Sequence, residues 1–165
     1  IYRSARGIEN GYAPLSLSRL KNLMLYLLEN LQDVWFTKMN KLLFYVDFLS
    51  YRENGMAISG LSYKAIDFGP VPVRWDVIYS EFDEIHQELR NVGDFVGSVL
   101  TSTDKADLSL FTESEIKVME AIIAKFNNTS SRDLAQLSHK ESAWTKHHDR
   151  HETIPFSEAF SLIAV

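Results

Sequence analysis

Apolar positions crowd the stretch from Lys38 to Asn54 on more than one side of a helix. Met39, Leu42, Leu43, Val46 and Leu49 share one face and Phe44, Tyr45 and Phe48 lie on the other, so this helix must be packed from two directions and form the centre of a core. A polar seam of Asn40, Asp47, Tyr51 and Asn54 runs along it at heptad-like spacings. Asp47, flanked by Leu43 and Phe44, is costly to bury alone. Its position therefore predicts a tyrosine hydroxyl, a backbone N–H group or an arginine beside it, and a role in fixing the packing.

Shorter patterns surround this helix. Behind a Ser16 cap, Leu17, Leu20, Met24, Leu27, Leu28 and Leu31 form one stripe and predict an amphipathic helix from Leu17 to Asn30. Asn54-Gly55 is a helix stop, after which Ile58-Ser59-Gly60 leads into Leu61 to Phe68, where Tyr63, Ala65 and Asp67 alternate with Lys64, Ile66 and Phe68 as in a short strand. Gly69-Pro70-Val71-Pro72 predicts a rigid bend, with Pro72 placed to open the next helix. Trp75, Ile78, Tyr79, Phe82, Ile85 and Leu89 follow a three-four rhythm, which predicts a helix from Val73 to about Leu89 with Asp76, Glu81, Asp83, Glu84 and Glu88 outside.

Gly93 to Leu100 and Leu108 to Phe111 are β-prone, joined by a polar loop over 101–105, and extend the strand at Tyr63. Thr112 and Glu115 have capping-box spacing ahead of Ile116, Met119, Ile123 and Phe126. Ser130 or Ser131 caps a short helix through Leu137, and another begins near Ser142 and carries Trp144. The pattern as a whole predicts an α+β fold, predominantly helical, with helices packed around a central apolar helix and a small antiparallel β-sheet.

Composition narrows the functional classes. At 165 residues with 45% hydrophobic and 12% aromatic content, the chain suits one domain with a sizeable core, read here as a lead-in or linker remnant over 1–14 and a domain over 15–165. It has no cysteine, which excludes disulfides and cysteine-ligated metal sites within it and suits a reducing compartment. There is no signal peptide or membrane-length apolar run, so a soluble cytoplasmic protein without a membrane partner is expected. A net charge of −5 supplies no general attraction to nucleic acid.

Candidate chemistry is sparse. His147, His148 and His151 cluster beside Asp149 and Glu152, and His147 with His151 has the i, i+4 spacing of helical zinc ligands. The first histidine lacks the adjacent glutamate a zinc hydrolase uses as its base, and Lys146 and Arg150 add repulsive charge, so the cluster reads as a solvated helix end. A nucleophile elbow, a phosphate-binding glycine loop and a dinucleotide fingerprint are all absent from the sequence, and neither an enzyme nor a cofactor is expected. Arg132-Asp133-Leu134-Ala135-Gln136 offers little to a DNA groove, which makes packing the better reading of the short helices there. A DNA-binding regulator of its own operon and a metal-dependent hydrolase are the alternative classes.

A spaced series of motifs carries a family resemblance: Lys41 to Leu49, the turns at Gly55 and Ile58-Ser59-Gly60, Tyr63-Lys64-Ala65, Phe68-Gly69-Pro70-Val71-Pro72, and Leu137-Ser138-His139 with Trp144. In these the chain resembles the Panacea, or SocA-like antitoxin, domain; Phe68 and Val46 stand where other members carry tyrosine and alanine. The resemblance implies an antitoxin of a bacterial or phage toxin–antitoxin pair that binds a cognate toxin protein, by occlusion or by delivery to a protease. With Ile1 in place of a methionine, the chain is read as the C-terminal part of a longer antitoxin whose DNA contacts would lie in an upstream domain. The oligomeric state is left open.

Lys41, Asp47, Gly55, Gly60, Gly69, Pro70, Pro72 and His139 belong to the family pattern as structural positions. The aromatic surplus around the Gly-Pro corner suggests Tyr45, Tyr63, Phe68, Val71, Trp75 and Trp144 as partner-binding anchors, with Tyr63 and Val71 taken as exposed. His139 and Trp144, both in the family pattern, are candidates for shared structure or recognition; a hydrogen-bonded histidine and a core tryptophan are the favoured reading, since a spacing of five does not by itself bring their side chains together.

Overall fold

The computed structural model describes residues 5–165, so Ile1 to Ser4 of the expected lead-in lie outside the described residues. Helix α1 (Leu17–Asn30) starts at Ser16, whose hydroxyl accepts from the Arg19 N–H at 3.2 Å. Helix α2 (Phe36–Asn54) is buried on every side from Lys38 to Ser50, as its all-round apolar pattern requires. It stops at Gly55, which takes φ 78° and donates its N–H to Tyr51 O at 2.8 Å.

After α2 come strands β1 (Tyr63–Ile66) and β2 (Gly69–Pro72), then β3 (His86–Val92) and β4 (Phe95–Thr101). Helices α3 (Glu113–Phe126), α4 (Ser131–Ser138) and α5 (Ser142–Thr145) complete the described fold, which is α+β and helix-dominated. Helix α3 opens with the capping box: Thr112 Oγ1 accepts from Glu115 N–H at 3.1 Å, and Glu115 Oε1 accepts from Thr112 N–H at 2.9 Å. Glu115 also pairs with Arg19, whose guanidinium donates to Leu110 O at 2.7 Å and to Ile58 O at 3.2 Å. One side chain thus ties α1 and α3 to the turn after α2. The lead-in lies against this body, with Ala57 N–H donating to Gly11 O at 2.9 Å and Phe156 N–H to Ile8 O at 2.8 Å.

The strands form two separate antiparallel pairs rather than the one extended sheet expected. Gly69-Pro70-Val71-Pro72, expected as a bend, is itself strand β2, with Pro72 opposite Tyr63 and Pro70 opposite Ala65. Prolines fit because the polar groups of Tyr63 and Ala65 point the other way: Ala65 N–H donates to Glu152 O at 3.1 Å and Tyr63 O accepts from Ile154 N–H at 2.8 Å. No ladder N–H is missing where each proline stands. The bend is instead at Asp67 and Phe68, the loop between β1 and β2.

No α-helix spans Val73 to Leu89. Pro72 closes β2 rather than opening a helix, Arg74 takes φ 65°, a short 3-10 turn covers Ile78–Glu81, and β3 starts at His86. Ile78, Tyr79, Phe82 and Ile85 are buried as their spacing requires, but successive turns deliver them, while Leu89 is exposed on the strand. A helix there would set Glu84 against Glu88 at i, i+4. The second hairpin turns at Gly93 and Asp94, where Gly93 has φ 62°, not over residues 101–105. Leu108–Leu110 is a 3-10 turn rather than a strand, held by Asp107 Oδ1 accepting from Ser109 N–H at 3.0 Å.

Candidate functional site

A cavity of about 1160 Å³ opens between the first turns of α2, residues 127–132 leading into α4, the β1–β2 loop and the β3–β4 hairpin. Trp35, Phe36, Phe68 and Phe95 wall it, and Lys38, Lys41, Ser131 and His139 line it with polar groups. Lys38 donates to Thr129 O at 2.6 Å. Lys41 is 1% exposed, and its ammonium has no hydrogen bond or ion pair among the described residues. Burial alone brings its pKa down from 10.5 to about 7.

Three of the family-pattern positions meet at this lysine. Gly69 takes φ 101°, and a Cβ there would stand 2.7 Å from Lys41 Cε, 2.9 Å from Ser138 Oγ and 3.3 Å from His139 Nε2. Only glycine lets β2 close over the Lys41 side chain and the end of α4 at this distance. His139 Nε2 is buried without a hydrogen-bond partner, and the His139 pKa is lowered by burial and by the Lys41 charge, against the pull of a hydrogen bond to the Asp67 backbone. Ser131 Oγ is likewise buried and unpartnered.

The carboxylates on the cavity wall are already engaged. Asp33 Oδ1 accepts from Arg90 at 2.8 Å. Asp67 Oδ1 lies 2.8 Å from His148 Nε2 and 3.2 Å from His151 Nε2, and these hydrogen bonds, His148 first, lower its pKa. Asp67, His148 and His151 bring their ligating atoms within 4.8 Å of one another, a donor set able to hold a divalent metal. The i, i+4 spacing of His147 and His151 does not make them a ligand pair. Helix α5 ends at Thr145, residues 148–150 make a 3-10 turn and His151 has φ 48°, so i, i+4 no longer means one face. His147 turns instead to Glu152 at 3.0 Å and Glu158 at 3.5 Å.

The expected partner-binding anchors separate into core and surface. Tyr45, Tyr63 and Val71 are buried, which corrects the reading of Tyr63 and Val71 as exposed. Tyr45 faces Glu141, Tyr63 donates to Asp47, and β2 carries Val71 against α2. Trp75 is half-buried against Phe36 with ring centroids 5.2 Å apart. Trp144 is half-buried between His139 and His148, at centroid distances of 4.4 and 4.1 Å, and its indole N–H donates to Ile66 O at 2.6 Å. Phe68 is 68% exposed at the cavity mouth.

Spacing gave no sign of the second arm of this mouth. Val92 and Phe95 stand opposite each other on one face of the β3–β4 hairpin, 60% and 61% exposed, while Leu89 and Val96 are exposed on the other. The available signal was Val-Gly-Asp-Phe, a glycine turn between two apolar residues.

The remaining family-pattern residues are architectural in their contacts. Asp47 Oδ1 accepts the Ile58 and Ser59 N–H groups at 2.9 Å each, and its Oδ2 accepts the Ser59 hydroxyl and the Tyr63 hydroxyl. Burial raises its pKa against the pull of these bonds. Gly60 has φ 81°, and a Cβ on it would lie 2.5 Å from the Pro14 backbone. No helix among the described residues is long and apolar enough to cross a membrane.

Residues 39–145, central in the chain, match the family described as Antitoxin SocA-like, Panacea domain. No curated protein and no solved structure matches.

Proposed function

Because the chain belongs to the SocA-like antitoxin family through its Panacea domain at residues 39–145, an antitoxin-type and non-enzymatic regulatory role is its premise, and we propose that it neutralises a cognate toxin protein by binding it directly. The observation that carries this reading is the exposed apolar set of Phe68, Val92 and Phe95 around one cavity mouth, continued by Leu89 and Val96 on the outer face of the same hairpin. Side chains of this size left in water together mark an interaction surface rather than a failure of packing. Aromatic anchors at a concave rim are where binding energy concentrates in protein interfaces. Phe68 and Phe95 take that role in place of Tyr45, Tyr63 and Val71, which the core consumes, while Trp75 and Trp144 support the surface from behind.

The test is co-expression with the product of the neighbouring gene, followed by co-purification and titration. The wild-type domain is expected to hold the toxin in a stable complex. Phe68→Ser and Phe95→Ser are each expected to weaken binding by about tenfold or more with unchanged thermal melting, since neither side chain is buried in the free protein. Unchanged affinity in both variants would place the toxin surface elsewhere, and failure of the pair to associate at all would end the direct-binding reading.

A further inference from the structure

The buried lysine has a use that toxin binding at the rim leaves unexplained. An ammonium largely withdrawn from water without a counter-ion is unfavourable, and charges held in such surroundings cluster at functional sites. Lys41 meets that description: it is 1% exposed, it lines a cavity of about 1160 Å³, and it has no hydrogen-bond or ion-pair partner among the described residues. The carboxylates on the same wall do not serve it, since Asp33 is held by Arg90 and Asp67 by His148 and His151. His139 Nε2 and Ser131 Oγ, also on the cavity, are buried polar atoms without partners, and Arg132 adds charge at its edge. The same cavity is lined by Trp35, Phe36, Phe68 and Phe95.

We propose that this cavity binds a small anion with an aromatic body, of the nucleoside phosphate class, with the phosphate against Lys41 and the base among the aromatic side chains. Lysine recognises phosphate as a point charge, and His139 beside it supplies a further polar contact. A base has a flat face that can stack on aromatic rings without sequence-like readout. The volume lies somewhat above the roughly 300–1,000 Å³ usual for small-molecule sites, and so accommodates a nucleotide with water. The site does not depend on the toxin, and its test does not use one.

Binding of AMP, ADP, ATP, GTP and inorganic phosphate to the purified domain would be measured by calorimetry at neutral pH. At least one nucleotide is expected to bind with Kd below about 1 mM, and more tightly than inorganic phosphate. Lys41→Met, shown to be folded by its melting transition, is expected to lose tenfold or more in that affinity. Lys64→Met, which removes an exposed lysine outside the cavity, should leave it unchanged. Phosphate binding as tightly as every nucleotide would overturn the aromatic part of the site. Absence of nucleotide binding to the wild type, or equal binding by Lys41→Met, would overturn the site itself.

Discussion

Replacing Asp47 with alanine is expected to destabilise the domain by about 4 kcal/mol or more, a large share of the stability of a typical domain. The carboxylate sits in the middle of α2 and accepts from the Ile58 and Ser59 N–H groups and from the Ser59 and Tyr63 hydroxyls. Every one of those donors is buried with it, so alanine would leave them facing apolar side chains, and a buried donor stripped of its partner costs about 1–3 kcal/mol. The loss would not stay local, because the turn Asp47 holds also presents Ile58 O to Arg19, the residue that links α1 to α3. Asp47→Asn separates hydrogen bonding from charge. Its carbonyl can still accept the two backbone N–H groups, and its amide can donate to the two hydroxyls, so a loss of only about 1–2 kcal/mol is expected. Urea titration of both variants checks this, and an alanine variant within about 1 kcal/mol of wild type would show that the network is not what fixes the turn.

The partners of Asp47 were legible in kind, since a carboxylate flanked by Leu43 and Phe44 had to find donors, and it found both backbone N–H groups and a tyrosine. The α-helices were legible for the same local reasons: stripe, cap and stop all lie within one turn of each boundary, as at Ser16, Gly55, Thr112 and Ser130. Residues 73–89 misled because a run of turns can bury every third or fourth side chain as a helix does, and only the clash of Glu84 with Glu88 argued otherwise. The site was harder still. Trp144 and His139 touch because α4 ends in a tight turn, and Lys41, Gly69 and His139 meet because β2 folds over α2. Contacts between stretches so far apart in the chain leave no trace in periodicity, and the family pattern named the residues without saying that they converge.

Replacing Lys41 with methionine is expected to stabilise the domain by about 5 kcal/mol at pH 6. Burial lowers the folded-state pKa of Lys41 from 10.5 to about 7. Below pH 7 both folded and unfolded chains carry the proton, so the folded state bears the full cost of a buried unpaired ammonium. Between pH 7 and about 10.5 the folded state releases a proton that the unfolded chain retains. The unfolded state then binds more protons, and stability rises with pH across that window. Methionine has similar length and flexibility and no charge, so it fills the space beneath Gly69 without the penalty. Its advantage should therefore be largest below pH 7, shrink through the window and vanish above about pH 10.5. Urea midpoints for both proteins at pH 6, 8 and 10 would reveal the trend, with the curves converging at the alkaline end. A methionine variant less stable than wild type at pH 6 would mean that Lys41 holds the fold together. A more stable variant would mean that the chain carries this lysine at the expense of stability, as residues kept for binding often are.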